Sequence, residues 1–77
     1  METRTSMQDT FLNEARKSRV PVTIFMINGF QQRGVVMSYD GYTVLVVNEN
    51  RQYLIYKHAI STIVPARQLD MPSGTRE

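Results

Sequence analysis

The feature that most constrains this chain lies after Pro21. From there to Pro65 the sequence is a succession of short β-branched and aromatic runs, each broken by a turn signal. "VPVTIFMI" runs into Asn28-Gly29, "QQRGVVMSY" into Asp40-Gly41, and "YTVLVVN" into Glu49-Asn50-Arg51; "QYLIYKH" and the short "STIVPA" follow. Asn-Gly and Asp-Gly are favoured in two-residue hairpin turns because the central residues there take positive φ. Short strands at near-regular spacing predict a small, strongly bent five-stranded sheet closed as a barrel. Gly34 stands inside the second run and predicts a bulge or sharp bend.

Alternation assigns the faces of the first strand. Val22, Ile24 and Met26 share one side; Thr23, Phe25 and Ile27 share the other. Thr23 marks the second side as the less buried one. Phe25 is therefore expected to be partly exposed, with Phe30 just past the turn. Exposed aromatic rings can stack nucleobases. They can equally pack in a core or an interface, and composition leaves both readings open.

One helix precedes the strands. Ser6-Met7-Gln8-Asp9 fits a capping box, in which a hydroxyl and a carboxylate satisfy orphan amides at a helix start. Phe11, Leu12 and Ala15 form a narrow apolar stripe, and Asn13, Arg16 and Lys17 point away from it. Pro21 ends the helix, since the residue before a proline is pushed out of the helical region. Arg16, Lys17 and Arg19 form a basic cluster near that end, where cations suit the helix dipole. Such a cluster is either a solvated helix face or a patch that contacts phosphates. Residues 1–5 and 68–77 read as flexible tails on a single domain spanning 6–67.

The chain has 77 residues. A domain of this size buries only about 60% of its unfolded surface, so its core needs support. There is no cysteine, so neither a disulfide nor a thiolate metal site supplies it. Association between copies is the remaining source. No apolar run approaches the roughly 18 residues of a membrane span. "METRTSMQDTF" holds no apolar signal-peptide core. Cytoplasmic residence is the expectation.

Enzyme chemistry finds no footing. His58 could be joined with Ser61 and Asp40 as a triad, but no nucleophile elbow surrounds Ser61. One histidine and scattered carboxylates make no metal site, and no glycine-rich phosphate cradle appears. Neither a metal nor another cofactor is expected. A lone histidine is most often a polar residue satisfied by local hydrogen bonds. Its neighbour Lys57 suggests another role: in a small basic domain that oligomerises, Lys57 and His58 repeated around an axis would form a ring of positive donors.

Three stretches carry a resemblance to a known family. "QDTFLNEARKSRVPVTIFMINGF", "VVMSYDGYTVLVVN" and above all "YKHAISTIVP" resemble the bacterial RNA chaperones of the Hfq family, a branch of the Sm/LSm proteins. The match runs from about Gln8 to Arg67. The resemblance implies an N-terminal helix on a bent, five-stranded Sm-like (SH3-like) barrel. It also implies a homohexameric ring, closed by pairing the fourth strand of one copy with the fifth of the next. In a six-fold ring the formal charge of +2 per chain would scale to roughly +12, favouring RNA.

The same resemblance implies three RNA surfaces. Gln8, Tyr42, Lys57 and His58 match the proximal pore site for U-rich single strands. Tyr42 would stack on the base, Gln8 and Lys57 would hydrogen-bond its edge, and His58 would line the pore. Asn13, Arg16, Lys17 and Arg19 match the rim, whose cations screen repulsion between two pairing RNAs. Phe25, Asn28, Gly29, Phe30, Gln31 and Arg33 match the distal site for A-rich or purine-rich RNA, with Gln52 and Tyr53 beside them. Phe25, Phe30, Arg33 and the extra residue in "NENR" are similar to the Gram-positive branch, associated with a two-pocket purine repeat. Gly41 stands where the family often has a longer polar side chain, and Tyr53 where it often has glutamine. The implied function is an RNA chaperone, without covalent chemistry, that promotes pairing of small RNAs with mRNAs and so regulates genes post-transcriptionally. The alternative is a structural or protein-interaction ring with weak RNA binding.

Overall fold

The computed structural model describes residues 6–71. The tail residues 1–5 and 72–77 lie outside that range. Helix α1 (Met7–Ser18) starts as its sequence predicts: the Asp9 amide donates to Ser6 Oγ at 3.0 Å. Leu12 and Ala15 are its fully buried residues. The helix stops at Arg19, which takes a left-handed φ of 55° and turns the chain toward Pro21.

Five strands follow: β1 (Val22–Met26), β2 (Gln31–Tyr39), β3 (Thr43–Asn48), β4 (Arg51–Tyr56) and β5 (Ile60–Pro65). All pair antiparallel, in the spatial order β4-β3-β2-β1-β5. This corrects the expected closed barrel: the sheet is open, and among the described residues no pairing joins β4 to β5. The reason lies in how β5 uses its hydrogen bonds. A three-residue 3-10 turn, Lys57–Ala59, follows β4, and β5 then pairs along β1 from Val22–Pro65 to Met26–Ile60. The two strands that would have to meet are left as opposite edges of one sheet. The turn is a correction too, since Lys57 and His58 were expected to continue the fourth strand.

The bend in the sheet comes from β2, which serves two partners in succession. Gln31–Gly34 pairs with β1, and Val35 through Tyr39 pairs with β3. Gly34 sits at the junction with φ +155°; a Cβ there would lie 2.5 Å from Val46 Cγ1 and 2.6 Å from the Val47 carbonyl oxygen. Only a residue without a side chain lets β3 approach so closely. A second irregularity, between Val36 and Ser38, leaves Met37 as a bulge.

The concave face of this sheet and α1 enclose the core. Val22 and Ile24 of β1 point inward, as do Val36, Val44, Val46 and Ile55 from the next three strands, and Leu12 of α1 packs among them. Burying each such side chain contributes about 1.5–3 kcal/mol. Leu69, within the segment read as a tail from residue 68, is also buried with this cluster.

The hairpin turns differ from the dipeptide signals. Ile27–Gly29 is a three-residue loop: the Met26 amide donates to Phe30 O at 2.8 Å and the Gly29 amide to Met26 O at 2.9 Å. Gly29 supplies the positive φ, 95°, that closes it. In the second turn the central pair is Gly41-Tyr42, not Asp40-Gly41, because Asp40 pairs with Thr43 through a 2.9 Å backbone bond. The two-residue turn with positive φ at both positions is at Glu49 (52°) and Asn50 (67°).

Candidate nucleic-acid interface

Lys57 is the centre of one polar surface. Its backbone amide donates to the Tyr42 carbonyl at 2.8 Å, so the β4 end and the β2–β3 turn are tied together. Its ammonium lies 3.1 Å from Asp9 Oδ1 on α1 and 5.5 Å from the centre of the Tyr39 ring. A cation over a ring face is held electrostatically as well as by the carboxylate. Gln8 and Lys57 border one cavity of about 410 Å³, together with Met7, Phe11 and residues 60–63 of β5. Three expected proximal residues, Gln8, Tyr42 and Lys57, are thereby brought to one side of the molecule. Tyr42 is 82% exposed, so its ring is free to be covered.

The β2–β3 turn beneath Tyr42 is built around a single carboxylate oxygen. Asp40 Oδ1 accepts from the Tyr42 amide, the Thr43 amide and the Thr43 hydroxyl, each at 2.8 Å. The Tyr42 amide first, then the Thr43 hydroxyl and amide, and lastly the charge of Lys57 hold the Asp40 carboxyl below its ordinary value. His58 sits on the 3-10 turn, exposed, its ring stacked on Tyr56 with centroids 5.9 Å apart.

Three rim candidates, Asn13, Arg16 and Lys17, lie on α1, and Arg19 caps its C-terminal end. Arg16 Nη2 donates to Asn13 Oδ1, and Lys17 lies 3.5 Å from Glu14. Asn13, Arg16 and Lys17 are thus engaged locally, and Arg16, Lys17 and Arg19 all face solvent.

The distal candidates divide into groups. Phe30, Gln31, Gln52 and Tyr53 border a cavity of about 340 Å³ with Met26, Gln32, Leu54 and Ile55. Phe30 is 73% exposed, and its amide donates to Asn28 Oδ1 at 3.0 Å, which steadies the loop that carries it. Tyr53 pairs with Val46 on the core-facing side of β4 and is half-buried, whereas its neighbour Gln52 is exposed. Phe25 does not border this cavity; it is half-buried on the other face of β1, opposite Gln31. Arg33 is also elsewhere, beside a hollow of about 440 Å³ lined by Pro21, Gly34 and Asn48.

Two residues beside these candidates were missed by sequence reasoning: Asp9, seen only as a cap, and Asp40, seen as a turn residue and as a triad partner that was set aside. The Asp-Gly-Tyr-Thr spacing did carry a signal, since aspartate at a turn's first corner often accepts from amides two and three positions on. Nothing in the local sequence ties Asp9 to Lys57. Among the described residues no cluster of histidine and carboxylates could hold a metal, and no helix is long and apolar enough to cross a membrane.

Comparison with known proteins places these features. Residues 7–70 match the family described as Hfq protein. An RNA-binding protein Hfq from Exiguobacterium sp. is 54% identical over 71 residues, covering 92% of this chain and 87% of that one. One from Halalkalibacterium halodurans is 49% identical over 71 residues, covering 92% and 91%. A crystal structure described as the pleiotropic translational regulator, Hfq, superposes with a TM-score of 0.74 at 44% identity, covering 77% of this chain and 98% of that one. The match spans the helix, all five strands and the Lys57–Ala59 turn, and the chain belongs to the Hfq family.

Proposed function

We propose that this protein is an RNA chaperone whose ring of six copies binds U-rich single strands on one face and A-rich or purine-rich strands on the other. It brings small RNAs and mRNAs together without covalent chemistry. The observation that carries this reading is that Gln8 and Lys57 border one cavity while the Lys57 amide is bonded to the carbonyl of Tyr42, whose ring is exposed. A stacking platform next to edge-reading donors suits a single-stranded base. Phe30, Gln31 and Gln52 offer a second combination of ring and amides around a separate cavity. Arg16, Lys17 and Arg19 supply rim charge for two strands that would otherwise repel.

The ring has its own support. β4 and β5 end the sheet as open edges, and exposed Leu54, Tyr56 and Val64 lie on them. Exposed apolar edges invite pairing with another chain. Joining β4 of one copy to β5 of the next would cover both, and would carry Lys57 and His58 of every copy toward a common axis.

Fluorescence polarisation with U-rich and A-rich oligonucleotides over a salt series tests the reading. Both should bind, and affinity should fall as salt rises. Lys57→Met should weaken U-rich binding roughly tenfold, the loss expected for a charge-assisted bond, and leave A-rich binding unchanged. Phe30→Ala should do the converse. Failure of both oligonucleotides to bind at low salt would overturn the proposal, and native mass spectrometry showing monomers would remove the ring.

A further inference from the structure

We infer that Asp40 is the positioning residue of the U-rich site: its carboxylate sets where the Tyr42 ring stands relative to Lys57. This rests on the proposed role of Tyr42 and Lys57 in binding U-rich RNA. Tyr42 is among the most exposed large side chains of the protein, so packing does little to hold it. What holds it is backbone. Its amide donates to Asp40 Oδ1 at 2.8 Å, and its carbonyl accepts from the Lys57 amide at 2.8 Å. Asp40 Oδ1 also takes both donors of Thr43, the first residue of β3.

One carboxylate oxygen therefore spans the turn, fixes the peptide that carries Tyr42, and through that peptide fixes the residue that follows β4. A Cβ at Gly41 would meet nothing within 4 Å, so the turn gains no packing from its own central residue. A platform that is already in place costs less to bind than one that must be ordered by the RNA. Asp40 has no contact with the base. It acts through Tyr42 and Lys57.

Replacement of Asp40 separates this role from a structural one. Asp40→Ala should weaken U-rich binding roughly tenfold, within the range seen when base stacking is lost. A-rich binding, which uses Phe30 on the other face, should be unchanged. Asp40→Asn keeps an acceptor oxygen for the same donors and should restore most of the U-rich affinity. If Asp40→Ala binds U-rich RNA as well as the parent, or loses both RNAs equally while still forming the ring, the assignment is wrong. Amide hydrogen exchange on the unaltered protein gives a second reading that no folding defect can confuse. The Tyr42 and Thr43 amides should be protected despite the exposure of the turn, and free exchange at both would overturn the assignment. Absence of U-rich binding by the unaltered protein would instead overturn the proposed function.

Discussion

Lys57 and Asp9 are 48 residues apart in sequence and 3.1 Å apart in space. The pair is asymmetric: the lysine side chain is 11% exposed and the aspartate 43%. The lysine therefore depends on the aspartate more than the reverse. Asp9→Ala should lower stability by about 1 kcal/mol, the size expected for a partly exposed pair with one shielded member. It should also free a cation toward RNA. Thermal denaturation reads the first effect. A steeper dependence of RNA affinity on salt, with less preference for U-rich over other sequences, reads the second.

Gly34 carries the bend, and its replacement is the most damaging single change the fold suggests. A methyl group at Gly34 would fall 2.5 Å from Val46 Cγ1 and 2.6 Å from a backbone oxygen that cannot move without breaking the β2–β3 ladder. Gly34→Ala should cost at least about 3 kcal/mol, as overpacking and backbone strain combine. Urea unfolding would show the loss as a lower midpoint, and a midpoint close to the parent's would mean that β3 can move away.

Asp40 gives a prediction about acid. Its folded value lies below 3.8, its ordinary one, so the unfolded chain takes up the proton first as pH falls. The contribution is thus fully present above the ordinary value and is lost as pH drops through the lower folded value. Stability of the parent relative to Asp40→Asn should be constant from neutrality down to about pH 4 and shrink below it. Urea melts of both proteins at several pH values measure the difference. A difference that already changes between pH 5 and 7 would implicate another group.

Much of this was legible in the sequence, because helix start, strand faces and bend are local properties. Ser6 caps, Val22 and Ile24 point inward, and Gly34 bends β2, each for a reason its own residue type supplies. The resemblance, carried above all by the Tyr56–Pro65 stretch, pointed to the family. Closure of the sheet was not legible, since it depends on which edge β5 joins, and strand composition does not encode a partner. The turns misled for a related reason. At Asp40-Gly41 the side chain of Asp40 takes over the acceptor role of a backbone carbonyl, which shifts the central pair by one residue. The Lys57–Asp9 contact was out of reach because α1 and the β4–β5 turn meet only in the folded chain. Gln52 and Tyr53 show the opposite case: alternation alone puts them on different faces, and their pairing with Val47 and Val46 does the same.

The Glu49-Asn50 turn offers a route to a more stable protein. Both residues hold positive φ, 52° and 67°, and neither is glycine. Left-handed backbone costs an ordinary side chain about 1–2 kcal/mol, and asparagine tolerates it better than glutamate. Glu49 is therefore the strained member. Glu49→Gly removes the strain but adds freedom to the unfolded chain, which takes back part of the gain. The net effect should be a stabilisation of roughly 0.5 kcal/mol, small but positive. Glu49→Asn, which adds no such freedom, should match or exceed it. Differential scanning of the three proteins at equal concentration measures this. A lower melting temperature for both variants would show that the Glu49 side chain makes a contribution that its backbone conformation hides.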